Sequence, residues 1–179
     1  MEVSEILTLD DLGFYITFPF SETDKNTIIR AIKSLKIETK QNQIQKDLDS
    51  ELAKALKNEG YYYSKDEDPE KSSKCKLWEP DFQHSVDLFN PELKIAIEIE
   101  KAEIKRVIHD ILKLVNASKT FKPKVRFGVL IVPDKYFVGS RFSNFIGQVK
   151  KEISFYFGGV IDGFSLLDIL IIAYKVDSK

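Results

Sequence analysis

The segment Lys94-Ile95-Ala96-Ile97-Glu98-Ile99-Glu100-Lys101 constrains this chain more than any other. A strand turns successive side chains to opposite faces, so Ile95, Ile97 and Ile99 take one face while Ala96, Glu98 and Glu100 take the other. The preceding Asn90-Pro91-Glu92 is a turn signal. It folds the chain back as a hairpin and brings Asp87, on the preceding strand, toward the two glutamates. Carboxylates crowded on so apolar a strand are costly, because like charges disfavour each other's ionised form. A divalent cation relieves that cost, since hard ions such as magnesium take oxygen ligands. The residues alone therefore point to metal-dependent phosphodiester cleavage.

The remaining chain has the make-up of an ordinary globular protein. Its 179 residues are 43% hydrophobic and 31% charged, which fits a single domain over 1–179. A net charge of -1 does not advertise a nucleic-acid binder. The sign is unevenly spread, however. Over 101–126 stand Lys101, Lys105, Arg106, Lys113, Lys119, Lys122, Lys124 and Arg126, against Glu103 and Asp110. Residues 1–30 lean acidic. Local sign matters more than the sum where a phosphate backbone must be held, and Lys119, Lys122, Lys124 and Arg126 flank one loop as candidate phosphate contacts. A lone Cys75 excludes an internal disulfide and suits a reducing compartment. The acidic N-terminus lacks a signal-peptide pattern, and the apolar stretch 164–174 is too short to span a bilayer. A soluble, cytoplasmic protein without membrane contact is expected.

Periodicity places helices over 25–35, 42–58, 102–116, 141–157 and 165–174. Strands are expected over 61–63, 84–89, 94–100 and 125–132, with short ones at 14–18 and 160–161. Residues 65–79 read as a loop, with Trp78 as its anchor or a ligand contact. A hairpin followed by a helical crossover to 125–132 gives a mixed α/β sheet.

Asp87, the hairpin turn, Glu98-Ile99-Glu100 and the basic helix after them resemble the core of the PD-(D/E)XK nuclease superfamily, over roughly 44–132. The resemblance implies a restriction-endonuclease-like fold, a mixed central sheet flanked by helices, with 140–179 as a helical extension. Asp87 matches the family's first acid and Glu98 its second. Glu100 stands where the motif has lysine, so this is a Glu-x-Glu variant. The resemblance further implies one or two Mg²⁺ or Mn²⁺ ions held by Asp87, Glu98 and the carbonyl of Ile99. An acid from the upstream helix joins them, with Glu51 the best match in position and Asp47 the fallback. Glu100 would orient or deprotonate water, and Lys101 or Lys105 would supply the missing ammonium. DNA is the implied substrate, and a homodimer the implied assembly.

Plainer readings stay open beside these. Glu98 and Glu100 fit a solvated strand face, Asp87 a turn, and Glu51 a helix surface. His84 and His109 have no partner at ligand spacing, though His109 follows Lys105 by one helical turn. Tyr61, Tyr62 and Tyr63 suit sheet packing better than base stacking. Two functional rivals to the endonuclease remain: a nuclease resolving branched DNA, and a fold-retaining module that binds without cutting.

Overall fold

The computed structural model describes residues 1–14, 20–38, 40–77, 84–118, 125–138, 141–157 and 168–177. Eight strands and five helices follow in order. They are β1 (Val3–Leu7), α1 (Glu22–Ser34), α2 (Gln41–Leu56), β2 (Tyr62–Tyr63), α3 (Pro69–Ser73), β3 (Leu88–Asn90), β4 (Ile95–Ile99), α4 (Ile104–Ser118), β5 (Phe127–Pro133), β6 (Lys135–Val138), β7 (Arg141–Asn144), α5 (Phe145–Phe157) and β8 (Asp168–Tyr174). Six strands form one sheet in the order β1-β8-β5-β4-β3-β2, and β6 and β7 form a separate ribbon. The β3–β4 hairpin is antiparallel, whereas β4, β5 and β8 run parallel.

Strict alternation divides the hydrophobic core into two layers. Ile95, Ile97 and Ile99 of β4, with Phe127, Val129 and Ile131 of β5, face α1 and α2. Those helices answer with Ile28 and Ile32, and with Ile44, Leu48, Leu52 and Leu56 at four-residue spacing. Ala96 of β4, with Leu130 and Val132 of β5, faces the other way, toward Val107, Ile111 and Leu114 of α4 and Phe145, Val149 and Ile153 of α5. Glu98 shares the register of Ala96 and so falls on the α4 side.

The hairpin is built by one side chain. Asn90 Oδ1 accepts the backbone N–H of Glu92 (3.0 Å) and of Leu93 (2.9 Å). Its Nδ2 donates to the Glu59 carbonyl at 2.8 Å, tying the turn to the end of α2. Gly60 leaves that end at φ +83°, and a Cβ there would sit 3.3 Å from Asn90 Nδ2. Left-handed backbone and close approach both call for glycine.

Several elements differ from the sequence expectation. The segment expected as a closing helix is β8, buried from Ile169 to Tyr174 between β1 and β5. An unbroken apolar run fits a buried strand as well as a buried helix, and its β-branched content favours the strand. The C-terminal part is thus no purely helical extension, because α5 is followed by a strand in the middle of the sheet. Residues 3–7, where periodicity placed no element, form β1 antiparallel to β8. The helix expected over 141–157 starts only at Phe145, where Asn144 Oδ1 accepts the Gly147 N–H at 2.9 Å. The loop 65–79 contains α3, capped by Asp68, and buries Cys75, whose thiol donates to the Tyr62 carbonyl at 3.4 Å. The strand expected over 84–89 is pared to β3. The short strands at 14–18 and 160–161, and Trp78, fall on or run into residues outside those described.

Candidate active site

The hairpin register pairs Leu88 with Ile97, and continuing it by one residue sets Asp87 opposite Glu98. Both carboxylates open into a cleft at the carboxyl end of β4, with a cavity volume of about 330 Å³. Ligands of open α/β sheets gather at that end of parallel strands. The lining comprises Gln45 and Asp49 from α2, Lys65, Asp87, the 98–103 segment, and Arg106, Asp110 and Lys113 from α4. Six carboxylates thus meet four cationic side chains in one recess.

Two ion-pair arms flank Asp87. On the first, Asp49 meets Lys101 Nζ at 2.7 Å and Lys65 Nζ at 3.4 Å. Lys101 Nζ also donates to the Gln45 carbonyl at 3.0 Å. On the second, Lys113 Nζ lies 2.5 Å from Glu98 Oε1 and 3.2 Å from Asp110 Oδ1. Its third contact is the Ser85 carbonyl, at 3.3 Å. Asp87 Oδ2 accepts the Ile99 N–H at 2.8 Å.

Burial is the dominant electrostatic force here. It pushes the Asp87 carboxyl up to about 6, against the pull of the Ile99 N–H, with the Asp49 charge adding to the rise. Burial and then the facing Asp87 charge raise Glu98 well above the usual carboxylate range, with Lys113 opposing. The Lys113 ammonium is held above its ordinary value, because Glu98 and Asp110 outweigh its own burial. Asp49 Oδ1 and Glu98 Oε1 are buried oxygens whose close neighbours are ammonium groups, Lys101 Nζ at 2.7 Å and Lys113 Nζ at 2.5 Å.

Those buried oxygens bear on whether the site suits the divalent ion that the fold family implies. The cleft offers hard, anionic oxygen donors from β4 and from the residue that leads into β3, which is the donor chemistry of Mg²⁺. Among the described residues no three His, Cys, Asp or Glu side chains are grouped around one point. Magnesium asks for less, being held through one or two carboxylates with water and phosphate completing the shell. The residues fit the ion.

The expected site residues divide into several groups. Asp87, Glu98, Ile99, Glu100 and Lys101 all line the cleft. Glu100 is used differently from the expectation. β4 ends at Ile99, and Glu100 Oε1 accepts the N–H of Lys101 (2.7 Å), Ala102 (2.8 Å) and Glu103 (2.8 Å), satisfying donors ahead of α4. Lys101, which strict alternation would carry to the face of Ile97 and Ile99, reaches the cleft because the chain has already turned there. Lys105 is exposed and does not line it. Neither does Glu51, which pairs with Lys54 at 2.5 Å on the helix surface. Asp47 accepts from Gln43, also outside the cleft. The acid that α2 does send in is Asp49. Arg126 sits at the opposite end of β5 from the cleft, with its guanidinium 5.3 Å from the Phe127 ring. Lys119, Lys122 and Lys124 lie outside the described residues. His84 and His109 meet each other edge to face at 5.7 Å, and His109 Nδ1 is 3.6 Å from Asp110.

Asp49, Arg106, Asp110 and Lys113 were not anticipated. A signal for the last three existed, since they recur along α4 at four- and three-residue steps and so share one flank.

Residues 18–174 match the sequence model of a family described as "Putative halobacteria restriction endonuclease". The chain belongs to that family. Its fold is similar to that in the crystal structure of restriction endonuclease BglII complexed with a DNA 16-mer, with a TM-score of 0.60. That likeness covers 99% of this chain and 78% of the other at 7% identity, and is one of fold. No curated protein matches the chain. The family member thus has the restriction-endonuclease-like PD-(D/E)XK fold, as its acidic hairpin led one to expect. Among its described residues no helix is long and apolar enough to cross a membrane.

Proposed function

We propose that this protein is a metal-dependent endonuclease that hydrolyses phosphodiester bonds in duplex DNA at the cleft beside β4. The observation that carries the reading is the facing pair of Asp87, half-buried just ahead of β3, and Glu98, buried on β4, opening into a recess lined by Lys65, Lys101, Arg106 and Lys113. Family membership and the likeness to a DNA-bound restriction endonuclease support it.

Each residue type has a task in such a reaction. Asp87 and Glu98, with the Ile99 carbonyl, would hold Mg²⁺ or Mn²⁺. When bound, the ion polarises a phosphate oxygen and lowers the pKa of its water. Asp87 is fixed from behind by the Ile99 N–H, so it presents its other oxygen to the cleft. Arg106 and Lys65, at the rim, draw in the polyanionic backbone. Asp49 keeps Lys101 aimed along the cleft wall rather than into solvent. In the hydrolysis the oxygen of water bonds to phosphorus, one ester P–O bond breaks, and the departing oxygen takes up a proton. Glu100 supports the start of α4 with one oxygen and is not assigned the base. A homodimer would set two such clefts against the two strands of a duplex.

The test is cleavage of plasmid and linear duplex DNA in Mg²⁺ or Mn²⁺. The unsubstituted chain should cut, while Asp87→Ala and Glu98→Ala should lose at least about a hundredfold in rate, the scale of losing a principal electrostatic group. Cutting by both variants at the unsubstituted rate would sink the reading. Cutting confined to four-way junctions would favour a junction-resolving enzyme. DNA binding without cutting would favour a binding module.

A further inference from the structure

We propose that Lys113, delivered from α4, is the ammonium that meets the scissile phosphate, and that Asp110 is its positioning residue. This rests on the reading of the cleft as a metal-dependent phosphodiesterase site. The motif resemblance reserves a lysine for the place that Glu100 occupies, and Glu100 is committed to three backbone N–H groups. Some other side chain must answer the negative charge that grows on the phosphate.

Among the described residues, the other candidate lysines are badly placed for that task. Lys105 stands outside the cleft. Lys65 is 68% exposed and reaches only Asp49, so solvent weakens its field. Lys101 is held by two groups of α2, Asp49 and the Gln45 carbonyl. Lys113 differs from Lys65 in burial and from Lys101 in its neighbours. Its side chain is 14% exposed, and its Nζ lies 2.5 Å from Glu98, one of the two central acids. Asp110 and the Ser85 carbonyl hold it from behind at 3.2 Å and 3.3 Å. Its contact with Glu98 is a hydrogen-bonded ion pair, so that with Asp110 and the Ser85 carbonyl all three of its donors are engaged. An ammonium has three donors on a flexible stem. A phosphate oxygen entering beside Glu98 would compete with that carboxylate for an ammonium that is already desolvated and tethered. Stabilisation of that kind is worth most in a water-poor recess, because nothing must reorganise as charge develops.

The arrangement also makes Lys113 a competitor of any cation at Glu98, which gives a readout independent of turnover. The experiment uses the full chain with Lys113→Met, Lys113→Arg, Asp110→Asn and Asp87→Ala. Mn²⁺ binding is measured by calorimetry, duplex cleavage under single-turnover conditions, and fold by thermal melting. Lys113→Met should bind Mn²⁺ about tenfold more tightly, because a neighbouring positive charge is gone. At saturating DNA it should cleave about 10²–10³-fold more slowly. Lys113→Arg should regain at least about a tenth of the rate, since it keeps the charge but not the shape. Asp110→Asn should lower the rate at saturation about tenfold with KM unchanged. A Lys113→Met protein that cleaves within about threefold of the unsubstituted chain, while Asp87→Ala is dead, overturns the assignment of Lys113 alone. Weaker Mn²⁺ binding by Lys113→Met without rescue by arginine makes the lysine a strut and also overturns it. Full cleavage by Asp87→Ala removes the underlying metal reading. If Lys113→Met fails to fold, Lys113→Gln carries the same comparison, and loss of fold in both counts against the proposal.

Discussion

At the scale of single residues, the cleft shows how one strand's chemistry is divided. Glu98 stays in register with Ala96 and faces α4, whereas Glu100 lies one residue past the strand and binds backbone instead. The two glutamates are the same residue type two positions apart, yet one is a cleft acid and the other a helix-entry cap. Asp87 carries a consequence for stability. Its carboxyl titrates near 6 in the folded chain and near 3.9 in an unfolded one. The native state therefore binds that proton more tightly, and Asp87 subtracts stability as pH rises from about 4 to about 6, with no further change above. In chelator, Asp87→Asn should be more stable than the unsubstituted chain at pH 7.5, by on the order of 1–3 kcal/mol, and equal to it near pH 3.5. Denaturant melts at the two pH values measure this. An equal gain at both would mean that burial of the charge is not the cause.

At the scale of elements, β8 and α4 do most to position the site. β8 pairs with β5 over seven residues and with β1 on its other side, so the acidic strand is two places inside a sheet that the C-terminus completes. Ile171 is fully buried against the α4–α5 layer. Ile171→Ala should cost about 2–5 kcal/mol, the range for emptying a packed aliphatic site, read as a shift in denaturant midpoint. A cost under 0.5 kcal/mol, the scale of surface substitutions, would contradict a central strand there. On α4 the sequence drew attention to Lys105 and His109, while the structure turns Arg106, Asp110 and Lys113 to the cleft. Both sets are spaced as a helix face requires, and only the docking of the apolar stripe selects between them.

At the scale of the molecule, the cleft gathers excess negative charge between two hydrophobic layers, and that concentration is what a divalent ion would relieve. Binding to the native state alone stabilises it, by about 2.7 kcal/mol when the free ion is a hundredfold above its Kd. Mn²⁺ should accordingly raise the thermal midpoint of the unsubstituted chain and leave that of Glu98→Ala unmoved. An equal rise in both would place the bound ion elsewhere. Lys101 on one side and Lys113 on the other pair with Asp49 and Glu98 and offset part of that charge.

The order of residues by itself determined the hairpin, the two faces of β4, the meeting of Asp87 with Glu98 and the restriction-endonuclease-like fold. The first three follow from a local period of two and from a turn written into Asn90-Pro91-Glu92, whereas the fold was implied by the resemblance of these residues to the PD-(D/E)XK superfamily. Tertiary structure decided which helical flank faces the cleft. Asp49 and Glu51 border the same apolar stripe of α2 on opposite sides, and only the angle at which that stripe meets the sheet sends Asp49 inward and Glu51 to Lys54. It also decided the state of 168–174, where an unbroken apolar run has no period to read and the vacancy between β1 and β5 makes it a strand. Periodicity is a property of one segment, whereas orientation is set by the partner it packs against.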